Sequence, residues 1–544
     1  MNIAIIVLLA ALFVAAAVLG LRYYTHMLQL SSYQFQGYFR FLKSRIISCA
    51  LLHFLVLAVF VYDGIKRGIN AKAFFESSSD YVIAIGFLII GLGALAEYFP
   101  KPAKKKFVVT DRVKRLFVTY ALILAAFILI TLVCVRNMAA PGRAGALIVT
   151  GIYFGFLPLV VALANLINKP VENRIAKWFI DDAKRILKEH DGLRIIGITG
   201  SFGKTSVKYY LTTLLSEKYR VLMTPESFNT PMGIVRTIRE KMQPMHEIFV
   251  CEMGARHLHD IKEITDIVHP DDGILTSIGY QHLETFHSLE NIVSTKYELL
   301  DAVEEKATEK GGEHLKFVNG DNEIIKANMK YKDAITYGLS EGNDFRATDI
   351  KVTSAGTTFT VTAPDGESAE FNTKLVGRHN VENIMGAIAA AYKMGVPMNK
   401  LKMGVRRIQS VPHRLELVKH GAVSILDDAY NSNPNGAKVA LETLDLFEGK
   451  VKILVTPGMV ELGAKEDEYN KAFGEQAAKV CDYIILVGEN NTKAIKAGAE
   501  EAGFPKEKLF VKNTLNEATQ LMYELEAGKE KVILLENDLP DNYT

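Results

Sequence analysis

A glycine-rich segment followed by a lysine and two hydroxyl residues is the part of this sequence best suited to chemistry. Residues 197–206 read Gly-Ile-Thr-Gly-Ser-Phe-Gly-Lys-Thr-Ser, between a short apolar run and a stretch with helical spacing. Glycine lets backbone N–H groups approach phosphate oxygens, Lys204 can reach the outer phosphates, and the Thr205 hydroxyl can bind Mg²⁺. The segment therefore predicts a phosphate-binding loop. The strict spacing would place a glycine at Ile198, so an ordinary glycine-rich turn with a surface lysine is the alternative.

Other candidate side chains follow strand-like runs further along the chain. Glu252 ends the run 247–252, His282 follows the run 273–278, and Lys296 lies in a stretch with helical spacing. Open α/β sheets place their sites at the carboxyl ends of the strands, and a carboxylate there can bind Mg²⁺ directly. Each residue alone also has an ordinary explanation, since a single histidine is more often structural and a single lysine is usually solvated.

The elements that must position these side chains are those of an α/β fold. From residue 193 onward, apolar strand-like runs alternate with helical patterns, which is typical of a mostly parallel sheet. Further runs of this kind are 423–428, 451–455 and 483–487. Residues 345–375 alternate between polar and apolar around Pro-Asp-Gly at 364–366, which predicts a β-hairpin.

The first 168 residues are far more apolar than the rest and predict an α-helical membrane unit. Five segments approach the roughly 20 residues that span a bilayer: 2–20, 46–62, 81–96, 116–135 and 145–166. Basic residues are concentrated in 21–45 and 97–115. The positive-inside rule therefore predicts a multi-pass protein of a bacterial cell membrane, with its N-terminus outside and its catalytic domains in the cytoplasm. Buried core helices are the alternative.

Residues 169–192 predict an amphipathic junction helix. Apolar residues lie near one helical face with basic residues interspersed, so the helix would either pack on the next domain or lie on anionic lipid.

The overall composition of the chain restricts its possible functions only a little. The formal net charge of +2 implies no polyelectrolyte partner, so no nucleic acid is expected, and four scattered cysteines suggest neither a disulfide framework nor a zinc ribbon.

Eight short motifs resemble, in the same order, those of the Mur ligases, the ATP-dependent amide-forming enzymes of peptidoglycan synthesis. The D-alanyl-D-alanine-adding branch is the most similar. The motifs begin at Thr199, Glu252, Ile278, Lys296, Gly377, Pro412, Asp427 and Met459. The form Thr-Gly-Ser/Thr-x-Gly-Lys-Thr is the family's own phosphate loop, which accounts for the shifted glycine.

The resemblance implies a central ATP-binding P-loop domain with a parallel sheet over 193–412 and a Rossmann-like C-terminal domain over 413–544. It implies ATP and two Mg²⁺ ions as cofactors. The implied nucleotide-binding residues are Gly200, Ser201, Gly203, Lys204, Thr205, Ser206, Asn380, Asn383, Arg414, and Asp427 or Asp428. The implied metal ligands are Thr205, Glu252, His282 and Lys296, the last carbamylated by CO₂. The implied catalytic residues are Lys204, His282, Lys296 and Arg414.

The resemblance also implies a reaction. ATP would phosphorylate a peptidoglycan-precursor carboxylate, and an amine, D-alanyl-D-alanine or a related one, would attack the acyl phosphate. Two departures limit it. About 25 residues between the last apolar segment and the loop are too few for the usual UDP-sugar-binding domain. The segment 532–541 also lacks the Gly-Ser-Arg-Gly ending expected of the branch.

These departures leave alternatives open. One is a membrane-bound Mur-like ligase that acts on a lipid-linked or polyglutamate-type substrate, with the lipid bilayer and cell-wall synthesis membrane proteins as partners. A lipid-II-modifying subunit would need a cysteine zinc ribbon, which the sequence lacks. The others are a non-catalytic nucleotide-binding scaffold and an ATP-driven transporter. The combination of Lys204, Glu252, His282 and Lys296 argues against the scaffold, and the absence of charges near the centres of the apolar segments argues against the transporter.

Overall fold

A computed structural model describes residues 3–44, 106–137, 155–353, 355–429, 433–460 and 462–538, with isolated positions between 58 and 153. The chain divides into two compact units. The first contains Met1–Lys177, and the second contains Trp178–Leu539.

The described part of the first unit is helical. Its helices are α1 (Ile3–Leu30), α2 (Phe35–Ser44), α3 (Asp111–Asn137) and the beginning of α4 (Leu157–Glu189). Buried tyrosine and aliphatic side chains, among them Tyr24, Leu28 and Leu116, form its core. Helix α4 continues through Pro170, so the helix has no break between the predicted last span and the predicted junction helix.

The prediction of five membrane spans is not supported. Within the described residues, one helix, Asp111–Ile130, is long and apolar enough to cross a membrane by length and composition. It coincides in part with the predicted span 116–135. The predicted spans 46–62 and 81–96, and the start of 145–166, lie almost entirely outside the described residues.

The second unit begins with a sheet of nine strands in the order β2-β3-β1-β4-β5-β6-β7-β8-β9. The strands are β1 (Arg194–Thr199), β2 (Val221–Met223), β3 (Ile248–Glu252), β4 (Asp272–Leu275), β5 (Lys316–Asn319), β6 (Ile335–Gly338), β7 (Phe345–Thr353), β8 (Gly356–Thr362) and β9 (Ser368–Thr373). Pairing is parallel from β2 to β7 and antiparallel between β7, β8 and β9. The predicted hairpin is confirmed as β8 and β9.

Helices cover both faces of this sheet, as buried parallel strands require. They are α5 (Lys204–Leu215), α6 (Pro231–Lys241), α7 (Asp260–Val268), α8 (Leu283–Phe286), α9 (Leu289–Lys310), α10 (Glu323–Ala327), α11 (Arg378–Lys393) and α12 (Met398–Arg407). One core joins α5 and α11 to the sheet, and a second core joins α7 and α9 to the other face. This arrangement brings the carboxyl ends of β1, β3 and β4 together.

A second sheet of six strands follows in the order β10-β11-β15-β12-β13-β14. The strands are β10 (Glu416–His420), β11 (Val423–Asp428), β12 (Val451–Thr456), β13 (Tyr483–Val487), β14 (Leu509–Lys512) and β15 (Lys531–Glu536). Only the edge strand β10 is antiparallel to its neighbour. The accompanying helices are α13 (Pro434–Asp445), α14 (Glu466–Val480), α15 (Lys493–Glu501) and α16 (Leu515–Glu524), with 3₁₀ turns at Gly463–Lys465 and Lys506–Lys508.

Candidate functional site

The glycine-rich segment forms a tight turn from the end of β1 into the start of α5. Gly203 has φ 79°, and a Cβ placed there would lie 2.3 Å from Asn383 Oδ1. Gly200 has φ 153°, and a Cβ there would lie 2.1 Å from Thr276 Oγ1. Both positions therefore require glycine, for backbone conformation and for space.

The turn is held by hydrogen bonds to the segment that follows β4. Ser201 N donates to Ser277 O and Phe202 N donates to Ser277 Oγ, both at 2.8 Å. The Lys204 ammonium folds back and donates to Gly200 O at 2.6 Å and Ser201 O at 3.2 Å. Burial lowers the pKa of Lys204 to about 8, opposed by Glu252 and assisted by the Arg414 cation. The lysine and the turn thus share one compact site.

Glu252 lies at the carboxyl end of β3, next to the start of α5. Its Oε1 accepts hydrogen bonds from Thr205 Oγ1 and Asn229 Nδ2, each at 3.0 Å. Its Oε2 lies 3.0 Å from Lys208 Nζ, and both side chains are almost fully buried. Burial acts to raise the pKa of Glu252, but the cations of Lys208 and Lys204 outweigh it, so the net pKa is lowered. A hydroxyl and an ionised carboxylate in contact are hard oxygen donors of the kind that Mg²⁺ prefers.

Sequence reasoning missed two of these residues. Lys208 lies one helical turn after Lys204, so the spacing contained a signal that the two lysines share a face. Asn229 lies in the connection between β2 and α6, and nothing in the spacing relates it to Glu252. Both residues hold the carboxylate of Glu252, which the sequence analysis predicts to be a metal ligand.

Lys296 lies on α9 and is buried, with 3% of its surface exposed. Burial holds the pKa of Lys296 well below its ordinary value, and the Lys204 cation adds to this, while Asp260 and Glu298 oppose it. Glu298 does not neutralise it directly, because the Glu298 carboxylate contacts His259 Nδ1 and accepts from Lys262 N, both at 2.8 Å. A lysine in this setting favours the neutral amine.

His282 starts the short helix α8 in a left-handed conformation with φ 52°. Its carbonyl accepts hydrogen bonds from Thr285 N and Phe286 N, both at 3.0 Å. In the described part of the chain, no group of three or more His, Cys, Asp or Glu side chains is arranged to hold a metal. Of the predicted ligands, the structure brings Thr205 and Glu252 into direct contact.

The two predicted adenine contacts occupy different environments. Asn380 is buried, donating from Nδ2 to Val376 O at 2.9 Å and accepting at Oδ1 from Tyr210 OH at 2.8 Å. Its amide thus already has partners inside the protein. Asn383, one turn later on α11, packs directly against Gly203. Ser206 lies in the first turn of α5, beside the glycine-rich turn at 200–203, which is called the phosphate turn because the sequence predicts that it binds phosphates.

Arg414 and the paired aspartates at the end of β11 approach this site from the C-terminal sheet. Asp427 Oδ2 lies 2.7 Å from His413 Nδ1, and Asp428 Oδ1 accepts from Leu415 N at 3.0 Å. Burial raises the pKa of Asp428 to about 6, although the nearby Arg414 cation lowers it. The Arg414 cation also lowers the pKa of Lys204, so the segment just before the second sheet contributes positive charge to the phosphate turn.

Comparison with known proteins places both sheets in one family. The Mur ligase middle domain matches residues 198–391, and the Mur ligase glutamate ligase domain matches residues 413–536. UDP-N-acetylmuramoyl-tripeptide–D-alanyl-D-alanine ligase of Bacillus subtilis (strain 168) is 33% identical over 318 residues, which are 57% of this chain and 66% of that enzyme. The enzyme of the same name from Escherichia coli (strain K12) is 29% identical over 367 residues, 65% of this chain and 75% of the enzyme.

A solved structure shows the same fold. Crystal structure I of MurF from Acinetobacter baumannii superposes with a TM-score of 0.59 at 25% identity, covering 68% of this chain and 78% of that one. These findings contradict the predicted multi-pass membrane localisation. The similar enzymes are named for a UDP-linked substrate, and a single described helix could span a membrane.

Proposed function

We propose that this chain is an ATP-dependent ligase of peptidoglycan precursor synthesis, because residues 198–391 and 413–536 match domains of the Mur ligase family. By the names of its relatives, the substrates are a UDP-N-acetylmuramoyl-tripeptide and D-alanyl-D-alanine. The contact between Thr205 and Glu252, at 3.0 Å and beside Lys204, carries the proposal. The contact supports the proposal because a hydroxyl and a carboxylate are oxygen donors of the kind that Mg²⁺ prefers.

The reaction consists of two transfers. The γ-phosphoryl group of ATP moves to a carboxylate oxygen of the tripeptide, which gives an acyl phosphate and ADP. The amine of D-alanyl-D-alanine then attacks the acyl carbon, phosphate leaves, and the nitrogen loses a proton, which gives the amide. The turn at Gly200 and Gly203 would bind the phosphates, and Lys204 and Arg414 would neutralise charge on the transferred group.

The metal sites rest on the chain's own donors. Thr205 and Glu252 would hold the first Mg²⁺, which when bound neutralises phosphate charge. Lys296, whose environment favours the neutral amine, would react with CO₂ to form a carbamate, and with His282 it would serve a second ion. Asn383 is better placed for the nucleotide than Asn380, whose amide already has internal partners. Asp427 or Asp428 would contact the ribose.

The test is product formation by the purified chain. Incubation with Mg·ATP, the UDP-linked tripeptide and D-alanyl-D-alanine should release ADP and give a product with the mass of the amide. ADP release should require both the tripeptide and the dipeptide, and Lys204→Ala should abolish it. ADP release without amide product would make the chain an ATPase, and no release with any UDP-linked peptide would refute the proposal.

A further inference from the structure

A polar cluster lies inside the otherwise apolar first unit, and it includes none of the candidate site residues described above. It is built from two matched sets, each at spacing i, i+3, i+7, so each set lies on one helical face. The sets are Arg112, Arg115 and Thr119 on α3, and Asn165, Asn168 and Glu172 on α4. Tyr33, in the turn between α1 and α2, completes the cluster.

Direct contacts join the two faces. Arg115 and Glu172 form a two-point ion pair with N–O distances of 2.6 and 2.8 Å. Thr119 Oγ1 donates to Asn168 Oδ1 at 2.7 Å. The Arg112 guanidinium lies 3.8 Å from the centre of the Tyr33 ring and is 3.4 Å from Asn165 Oδ1.

Three buried atoms of this cluster have no hydrogen-bond partner within the described residues. They are Tyr33 OH, Arg112 Nε and Asn168 Nδ2. All three can donate, so what the cluster lacks is an acceptor. Leaving a buried donor unsatisfied is costly, and native proteins rarely leave several of them in one place. A network with a purely structural role would be expected to satisfy its own members.

The charge of the cluster indicates what kind of acceptor is missing. Arg112 and Arg115 share a single carboxylate, because Glu172 lies within 4 Å of both. Among the described residues, one positive charge of the cluster therefore has no carboxylate of its own. A water molecule would supply acceptor atoms but would leave the charge uncompensated, whereas an oxyanion supplies both.

We propose that this cluster binds an oxyanion of the phosphate class. Arg112, Tyr33 and Asn168 donate to the oxyanion, and Glu172 holds Arg115 in place beside it. The proposal concerns the first unit and does not depend on the ligase activity proposed above.

The test uses the full chain and inorganic phosphate and pyrophosphate as probes, titrated by calorimetry with saturating Mg·ADP present. Each titration is repeated in the Lys204→Ala variant to exclude the phosphate turn. We expect saturable binding that is unchanged by Lys204→Ala. Tyr33→Phe keeps the ring over Arg112 and removes only the hydroxyl, and Asn168→Asp keeps the shape and adds a negative charge. Each should weaken binding about ten-fold or more.

Lys114→Gln is the matched control. It removes one positive charge from the same helix, but Lys114 is exposed and pairs with the exposed Asp111. It should leave the affinity unchanged. The proposal is overturned if wild type shows no saturable binding, or if Lys114→Gln weakens binding as much as the other variants. It is also overturned if Tyr33→Phe and Asn168→Asp bind like wild type and change only the melting temperature.

Discussion

At the scale of single residues, Glu252 and Lys208 form an ion pair that is closed off from solvent. The two side chains are 1% and 0% exposed, and their charged atoms lie 3.0 Å apart. Such a pair adds little net stability while both partners are present, but removing one partner leaves an uncompensated buried charge.

Lys208→Met should therefore destabilise the protein by about 3–5 kcal/mol, measured by denaturant unfolding of the second unit's transition. The matched control is Lys262→Met, because Lys262 and Asp266 are also 3.0 Å apart but are both exposed. Its cost should be much smaller. Equal losses in the two variants would show that Lys208 is not an internal counter-ion.

Lys296 gives a pH prediction. The folded-state pKa of Lys296 lies below its ordinary value, so in the range between the two values the unfolded chain binds more protons. The free energy of unfolding should therefore rise with pH across that range. Lys296→Met should be more stable than wild type at neutral pH in CO₂-free buffer, and its advantage should shrink as pH rises toward the ordinary lysine pKa.

Variants of Lys296 also test the proposed carbamate. Lys296→Met should lose ligation activity. Lys296→Ala should also lose it, but short carboxylic acids should restore part of the activity there, because the smaller side chain leaves them space to replace the carbamate. If Lys296→Met is less stable than wild type at every pH, the buried amine is compensated by its surroundings and the reasoning fails.

At the scale of elements, the turn between β1 and α5 combines a left-handed backbone with close packing. Gly203→Ala should lose nucleotide affinity, because its Cβ would meet Asn383 Oδ1 at 2.3 Å. Gly488→Ala is a matched control, since Gly488 has φ 84° against 79° and open space around its Cβ. Both should cost roughly 1–2 kcal/mol of backbone strain. Only Gly203→Ala should weaken ADP binding in a fluorescence titration, and equal weakening would contradict this.

The elements also show what local pattern can and cannot predict. The runs 423–428 and 483–487 appear as strands with those bounds, because alternation and turn residues are local signals. The order of the nine strands and the meeting of Asn229 with Glu252 depend on contacts between distant segments, which spacing does not encode. A boundary near residue 168 was predicted from the change in composition, and α4 runs through this position from Leu157 to Glu189.

At the scale of the whole molecule, Arg414, which lies just before the second sheet, adds positive charge to the phosphate turn of the first sheet. If Arg414 contacts the γ-phosphate as proposed, Arg414→Met should lower kcat by about 10²–10³ and leave ADP affinity nearly unchanged. Arg406→Met, on the exposed end of α12, is the control and should change neither quantity. A parallel loss of ADP affinity in Arg414→Met would instead assign Arg414 to general nucleotide binding.

The buried partner of Glu252 has a consequence for how the enzyme responds to its surroundings. Because the buried Lys208 already pairs with this carboxylate, we expect the second unit to stay folded without magnesium. Removal of free magnesium should then stop the proposed ligation without unfolding the second unit, so aggregation and proteolysis should not increase. Ligation should resume as soon as magnesium is added back.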